Sequence, residues 1–171
     1  MAGCFKKKMK KDKFLTVYAV LDDESQKALT ELQNRILEDF PNGTQTMGIP
    51  FHISLGSFPV HMEEELIERM KSLQNQMEPS SIELMGIDHF NYQVIFVKPK
   101  ITEELKTLHQ TFLGNYSDGF SWVPHITLYC GKEEEGKEIV KELYIPKQTA
   151  KIIGLEIGEF FPTRIIKNFK F

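Results

Sequence analysis

The chain has 171 residues, of which 41% are hydrophobic and 26% are charged. This composition supports one compact domain with a sizeable core, and it excludes a disordered or fibrous protein. The net charge of −3 disfavours an extended fit to polyanionic nucleic acid. No apolar run reaches the roughly 20 residues of a membrane span, so we expect a cytoplasmic protein with no membrane partner.

A lysine-rich stretch opens the chain, with lysines at positions 6, 7, 8, 10, 11 and 13. Such a run could hold a phosphate backbone, but a solvated and mobile terminus is the simpler interpretation. We therefore expect residues 1–13 to form a basic arm outside the folded domain. The two cysteines, Cys4 and Cys130, form neither a disulfide framework nor a zinc-binding spacing.

Strand and helix patterns alternate after the arm. Residues 14–21 are β-branched and aromatic, which predicts a strand, and Asp22 offers an N-cap for the helix that follows. That helix ends at the Pro-Asn-Gly of residues 41–43. A strand at 51–58, a helix from about residue 61 and a strand at 82–90 complete the first half.

The same order of elements begins again in the second half. Its predicted elements are a strand at 92–98, a helix from Thr102, a strand at 122–130, a helix at 133–143 and a strand at 150–161. A last strand at 164–171 closes an apolar hairpin. We infer two β-α-β-α-β lobes, approximately 14–90 and 91–171, related by a pseudo-twofold axis, with helices on the outer faces.

Each half contains the same tetrapeptide pattern, His-Ile-Ser-Leu at 52–55 and His-Ile-Thr-Leu at 125–128. By average composition, two such matches among five histidines have odds on the order of one in a thousand. Strand alternation places the histidine and the hydroxyl residue of each motif on one face. Two core histidines are the alternative, but burying two imidazoles requires partners for both.

Two imidazoles and two hydroxyls suit phosphodiester chemistry without a metal. An unperturbed imidazole has a pKa of about 6.5, so it can serve as acid or base near neutral pH. Ser54 and Thr127 can each donate a hydrogen bond to phosphate. Metal binding by His52 and His125, or a nucleophilic Ser54, are alternatives, although no H-E-x-x-H or G-x-S-x-G spacing supports them.

The paired motifs, one in each half of an α+β chain of this length, resemble the 2H phosphoesterase superfamily, which includes RNA 2′,3′-cyclic phosphodiesterases and 2′-5′ RNA ligases. The resemblance extends over nearly all of the chain from about Phe14. It implies one bilobal catalytic domain over residues 14–171, in which two antiparallel sheets line a central groove and helices cover the outer faces. It further implies that His52 and His125 are the catalytic acid and base and that Ser54 and Thr127 bind the phosphate.

One feature departs from many relatives, which have an arginine soon after a motif. Here Lys132 is the available cation, and it lacks the bidentate fork that suits phosphate. Tyr129 shares strand parity with His125 and Thr127, so we expect it to face the groove. A nucleobase could stack on an aromatic side chain near the groove, for which the candidates are Tyr129, Trp122, Phe51 and Tyr18. Membership of the core is the alternative for all four, and it is the simpler interpretation for Phe51 and Tyr18.

We therefore expect a phosphodiesterase without metal or cofactor that opens the cyclic phosphate of a nucleotide or RNA end to a 2′-phosphomonoester. His125 would be the base for water and His52 the acid for the leaving 3′ oxygen, although the symmetry permits the reverse. A 2′-5′ RNA ligase-like activity, a binding module without turnover and a scaffold with a vestigial site stay open. We expect a monomer, with the remaining histidines, His61, His89 and His109, at the surface or at helix caps.

Overall fold

The computed structural model describes residues 12–43 and 49–171. Within these ranges the chain forms seven strands and four helices. In chain order they are β1 (Phe14–Leu21), α1 (Asp23–Asp39), β2 (His52–Pro59), α2 (Glu63–Ser72), β3 (Ser80–Phe90), β4 (Val94–Pro99), α3 (Glu103–Leu113), β5 (Ile126–Cys130), α4 (Glu133–Glu142), β6 (Gln148–Phe160) and β7 (Arg164–Lys170). A 3₁₀ turn (Val60–Met62) precedes α2.

The predicted basic arm lies outside the described residues, except for its last two positions. Lys13 Nζ lies 3.3 Å from a carboxylate oxygen of Glu159, a residue that is 5% exposed. Arg164 Nε contacts the same oxygen at 2.8 Å. None of the described helices is long and apolar enough to cross a membrane.

All strand pairs are antiparallel, and the order across the sheet is β2-β1-β6-β3-β4-β5, with β7 paired to β6. If β1 is exchanged with β4, β2 with β5 and β3 with β6, the same strand order results, read from the opposite edge of the sheet. The third strand of each half pairs with the first strand of the other half, β6 with β1 and β3 with β4. The predicted antiparallel α+β fold is confirmed. The division into repeats of 14–90 and 91–171 stays a proposal, since each half of the sheet takes strands from both.

The two predicted sheets join into one because β3 and β6 are long, with 11 and 13 residues. Residues 80–84 of β3 pair with residues 148–152 of β6. The remainder of each strand pairs with the opposite neighbour, β3 with β4 and β6 with β1. The strands at the two ends of the path, β2 and β5, also contact each other. The sheet therefore curves until the two motif-bearing strands meet.

Helices α1 and α3 each pack on the motif strand of the opposite half, α1 on β5 and α3 on β2. Side chains of Asp22 and Thr102 cap their first turns by accepting backbone hydrogen bonds at 2.9 and 3.1 Å. Each helix buries a matching apolar stripe, Leu29, Leu32 and Ile36 in α1 and Leu105, Leu108 and Phe112 in α3. Burial of each such side chain stabilises the fold by about 1.5–3 kcal/mol.

Candidate active site

The first motif lies on β2, which bulges directly after its hydroxyl residue. Tyr18 of β1 lies opposite Ser54. The preceding residue of β1, Val17, lies opposite Gly56, so Leu55 has no partner in the ladder. A bulge of this kind inserts one extra residue and changes which face the following side chains occupy.

The second motif has a bulge at the equivalent position. Phe96 of β4 lies opposite Thr127, and the preceding Ile95 lies opposite Tyr129, so Leu128 is the extra residue. Neighbouring residues of β4 point to opposite faces, and their partners on β5 must do the same. Tyr129 therefore points away from the face that carries Thr127, and the expectation from simple strand parity is wrong.

Tyr129 is buried in the core with no exposed surface. Its hydroxyl donates a hydrogen bond to Glu135, and its ring centre lies 6.5 Å from that of Phe40. The ring also lies against the backbone of Gly43 and Gly131, where an added Cβ would overlap it. Burial, followed by the Glu135 contact, raises the pKa of Tyr129 to about 12. The prediction that Tyr129 contacts a substrate is therefore wrong.

Both motif histidines are oriented by the same contact. His52 Nδ1 lies 2.8 Å from the carbonyl oxygen of Pro50, and His125 Nδ1 lies 2.7 Å from that of Val123. A carbonyl oxygen can only accept, so each Nδ1 carries a proton and donates it. In the neutral ring the lone pair is then on Nε2, where it can act as a base or, once protonated, as an acid.

Burial lowers the pKa of both imidazoles. At His52 the carbonyl hydrogen bond opposes this effect, and the positive charge of His125 lowers the pKa further. At His125 burial also outweighs the carbonyl hydrogen bond. Both rings are thus mainly neutral at pH 7, and the mutual repulsion disfavours protonation of the two rings together.

An aromatic ring from the neighbouring strand supports each histidine. The Tyr18 ring centre lies 4.7 Å from that of His52, and the Phe96 ring centre lies 5.1 Å from that of His125. Phe90 adds an edge-on contact to His125 at 5.0 Å. Tyr18 is only 1% exposed and donates to Glu156 at 2.8 Å. It therefore supports His52 from within the protein, so the core interpretation of Tyr18 is right and the alternative of contact with a nucleobase is wrong.

Phe51 is a core residue at 4% exposure, so it does not contribute a stacking surface either. The side chain of Gln26 accepts from its backbone N–H at 2.9 Å and donates to its carbonyl at 2.7 Å. This pair of bonds ties the residue before His52 to α1. Gln26 is not predictable from the sequence pattern, because its contact partner is a backbone segment 25 residues away.

Ser54 and His125 line one cavity of about 240 Å³, which brings the two motifs together. Phe90, Trp122 and Val123 give this cavity an apolar side. Thr127 is 7% exposed and does not line it, and neither does His52. Among the residues that the structure describes, neither hydroxyl of Ser54 and Thr127 is bonded to another side chain. Both hydroxyls are thus available as donors.

Trp122 connects the cavity to the first motif. Its indole N–H donates to the carbonyl oxygen of Ser54 at 2.9 Å, and its ring stacks on His109 at 4.1 Å. His109 Nδ1 lies 2.6 Å from the carbonyl oxygen of Leu55. The prediction of a surface or capping role for His109 is wrong, whereas His61 is exposed. His109 lies four residues after Leu105, on the buried face of α3, which is the signal that indicates its position.

Lys132 does not supply a cation to the cavity. It is exposed and precedes α4, beyond the far end of β5. At strand rise it lies roughly 20 Å along the chain from His125. The prediction that Lys132 takes the place of the missing arginine is therefore wrong. In the described part of the chain no lysine or arginine lines the cavity, and no cluster of three His, Cys, Asp or Glu could hold a metal ion.

Known proteins share this fold. A family model described as the 2′-5′ RNA ligase superfamily matches residues 47–159. TT0787 of Thermus thermophilus has a TM-score of 0.63 at 16% identity, over 92% of this chain and 97% of its own. Escherichia coli LigT complexed with 3′-AMP has a TM-score of 0.63 at 12% identity, over 94% and 98%.

The structure of LigT complexed with ATP gives a TM-score of 0.62 at 13% identity, over 94% of this chain and 98% of that one. At these identities the likeness shows a common fold. No curated protein sequence matches the chain significantly.

Proposed function

This chain belongs to the 2′-5′ RNA ligase superfamily, and we propose that it is a metal-independent phosphodiesterase that opens a cyclic phosphate to a 2′-phosphomonoester. The observation that carries the proposal is the matched orientation of His52 and His125, each of which donates from Nδ1 to a backbone carbonyl. That contact leaves both Nε2 atoms for proton transfer. The family and the shared fold with a solved phosphoesterase support an enzymatic role.

The reaction consumes one water molecule. A water oxygen attacks phosphorus while Nε2 of His125 accepts its proton, and the bond from phosphorus to the 3′ oxygen breaks as His52 donates a proton to that oxygen. Solvent then returns the pair to its starting protonation state. Hydroxyl groups of Ser54 and Thr127 donate to the non-bridging oxygens, where negative charge increases.

The electrostatics of the histidine pair suit this cycle. Burial keeps the resting rings mainly neutral, because it lowers the pKa of both imidazoles. A bound phosphodiester carries one negative charge, which favours protonation of one ring, whereas repulsion disfavours protonation of the second. The complex then holds one proton between the two rings, as an acid and base pair requires.

The cavity supports a small substrate. Its volume of about 240 Å³ lies below the roughly 300–1,000 Å³ of typical ligand sites, so we propose that it holds one nucleoside. Phe90 and Trp122 offer faces for stacking a base. LigT has been crystallised with ATP and with 3′-AMP, which supports a nucleotide as the ligand here. We propose that the chain acts as a cytoplasmic monomer on a cyclic nucleotide or an RNA end.

Hydrolysis of 2′,3′-cyclic AMP in the presence of a chelator tests the function. We expect 2′-AMP as the product, identified by ³¹P NMR. His52→Ala and His125→Ala should each lower kcat/KM by about 10²–10⁴-fold, the usual contribution of an acid or base. His61→Ala is the matched control, because His61 is exposed and lies outside the motifs. Unchanged activity in either motif variant contradicts the acid and base roles, and loss in chelator contradicts metal independence.

A substrate with a good leaving group tests which histidine is the acid. Departure of 4-nitrophenolate from bis(4-nitrophenyl) phosphate needs little protonation, so loss of the acid should matter less than loss of the base. We expect His52→Ala to retain more of its activity on this substrate than His125→Ala. The opposite order would exchange the two roles.

A binding module is the second candidate. It is favoured by the absence of any lysine or arginine among the described residues that line the cavity. Such a protein would bind 2′,3′-cyclic AMP and release no product. Calorimetric binding together with an unchanged ligand after a day of incubation would establish this alternative.

A further inference from the structure

The outer edge of β2 is held by two side chains from the other half of the chain. β2 is the end strand of the sheet path, so no strand pairs with that edge in the part of the chain that the structure describes. A bulge leaves backbone groups outside the regular ladder, and buried carbonyls need a donor. Trp122 Nε1 reaches the carbonyl oxygen of Ser54 at 2.9 Å, and His109 Nδ1 lies 2.6 Å from that of Leu55.

The side chains of Trp122 and His109, which donate to these two consecutive carbonyls, also stack on each other. The indole of Trp122 and the imidazole of His109 stack with ring centres 4.1 Å apart and planes inclined by only 6°. Stacking restrains the rotation of both side chains, so each donor stays aimed at its carbonyl. The pair therefore acts as one rigid unit against the backbone of the first motif.

The same segment of chain orients the histidine of the second motif. Trp122 precedes Val123, whose carbonyl oxygen accepts from His125 Nδ1 at 2.7 Å. The intervening Pro124 is buried and has a restricted backbone. Residues 122–125 thus hold the first motif through an indole side chain and the second through a backbone carbonyl. Displacement of Trp122 would move both halves of the site relative to each other.

The second motif has a simpler version of this contact. Gln33 Nε2 donates to the carbonyl oxygen of Leu128, the bulge residue of β5, at 2.7 Å. Gln33 follows the second leucine of the α1 stripe, as His109 follows the second leucine of the α3 stripe. A side-chain N–H therefore meets the bulge carbonyl in both halves, supplied by an amide in one and an imidazole in the other.

We propose that Trp122 and His109 are positioning residues, a clamp that sets the Ser54 hydroxyl against a phosphate bound beside His125. This inference rests on the proposed function, since it assigns the clamp to the phosphodiesterase site. The clamp acts through the backbone of Ser54 and Leu55. Its loss should reduce transition-state stabilisation more than substrate binding, because the hydroxyl must meet charge that develops during the reaction.

Three variants separate the clamp from a stacking surface or a packing role. Trp122→Phe keeps an aromatic ring but removes the donor to Ser54, and His109→Leu removes the donor to Leu55. We expect each to lower kcat on 2′,3′-cyclic AMP by about tenfold to a hundredfold, with KM changed by less than about threefold. His109→Gln copies the chemistry of Gln33 and should restore kcat to within about threefold of the wild type. His61→Gln is the control for replacing a histidine.

A second measurement is independent of turnover. Trp122 is the only tryptophan, so the chain gives a single indole N–H signal in a ¹⁵N NMR spectrum. We expect slow exchange of this proton with solvent, faster exchange in His109→Leu, and recovery in His109→Gln. Titration with inorganic phosphate should give binding that is weaker in Trp122→Phe than in the wild type by less than about threefold, the same limit that is expected for KM.

These results distinguish failure of the clamp from failure of the proposed function. The clamp is overturned if the wild-type indole proton exchanges as in free tryptophan, or if Trp122→Phe keeps both wild-type kcat and wild-type phosphate affinity. It is also overturned if His109→Gln is as impaired as His109→Leu. A wild-type chain that binds phosphate but hydrolyses no cyclic nucleotide refutes only the phosphodiesterase, and one that does neither refutes both.

Discussion

Tyr18 supports His52, the proposed catalytic acid, and also contributes to the stability of the sheet. Its ring lies 4.7 Å from that of His52, while its hydroxyl donates to Glu156 at 2.8 Å. Burial, and then the hydrogen bond to Glu156, hold the pKa of Tyr18 far above its ordinary value, so the hydroxyl remains a donor at every working pH. Tyr18→Phe deletes only the hydroxyl, and Tyr18→Ala deletes the ring as well.

The expected magnitudes follow from these contacts. A hydrogen bond to a charged group contributes about 1.5–3 kcal/mol. Glu156 is half-buried and can take water in place of the phenol, so we expect Tyr18→Phe to lower the free energy of unfolding by about 1–2 kcal/mol. For a chain of this size that lowers Tm by about 2–8 °C. Tyr18→Ala should cost about 3–5 kcal/mol, as for other large buried rings.

Urea unfolding and hydrolysis of 2′,3′-cyclic AMP by the same preparations provide the assay. Tyr18→Phe should keep kcat within about twofold of the wild type, because the ring beneath His52 remains. Tyr18→Ala should lose activity even at temperatures where it is fully folded. A Tyr18→Phe variant as inactive as Tyr18→Ala would refute this reasoning, since the hydroxyl rather than the ring would then control His52.

Three further predictions concern acid sensitivity, core packing and the second bulge. Burial lowers the pKa of His52 and His125, so the folded state binds fewer protons than the unfolded chain below about pH 6.5. The free energy of unfolding should therefore be highest above that pH and fall as the pH drops through the lowered pKa values. In urea titrations, a variant with both His52→Gln and His125→Gln should lose less of its free energy of unfolding between pH 7 and 5 than the wild type. Gly131→Ala should cost about 1–3 kcal/mol, because a Cβ would overlap the Tyr129 hydroxyl oxygen, and unchanged urea unfolding would contradict that close contact. Gln33→Leu should cost about 1–3 kcal/mol by leaving the second bulge carbonyl without its donor, whereas Gln33→His should cost less, and equal losses in thermal unfolding would contradict this role.

Local patterns predicted the elements well because their causes are local. The strand at Phe14–Leu21 has the predicted bounds, and the helix after it begins at the Asp22 cap. The strand of the second motif begins at Ile126 rather than at residue 122. Pro124 has no N–H and restricts the residue before it, and Trp122 leaves the strand direction to reach β2. The predicted strand is therefore shorter at its N-terminal end because Trp122 contacts Ser54, which lies in the other half of the chain.

Two of the predictions that failed depended on the face to which a side chain points. Tyr129 has the parity of a groove residue, but the bulge at Leu128 turns it into the core. The sequence predicts His109 at the surface or at a cap, but it is half-buried and faces the carbonyl oxygen of Leu55. The burial of Tyr18 and Phe51 agrees with the core interpretation that the sequence favoured for both. A bulge adds one residue to a strand but does not change the alternation of apolar and polar residues in the sequence, so sequence periodicity cannot predict it.

The sequence by itself determined the family, the antiparallel α+β fold and the repeated motif, because these follow from short-range patterns that occur twice. The tertiary structure alone decided how the motifs meet. β3 and β6 exchange between the halves, β2 and β5 come into contact, and the segment before His125 reaches across to Ser54. These pairings join residues that are far apart in the chain. They depend on the packing of the whole sheet, and local sequence patterns do not predict that packing.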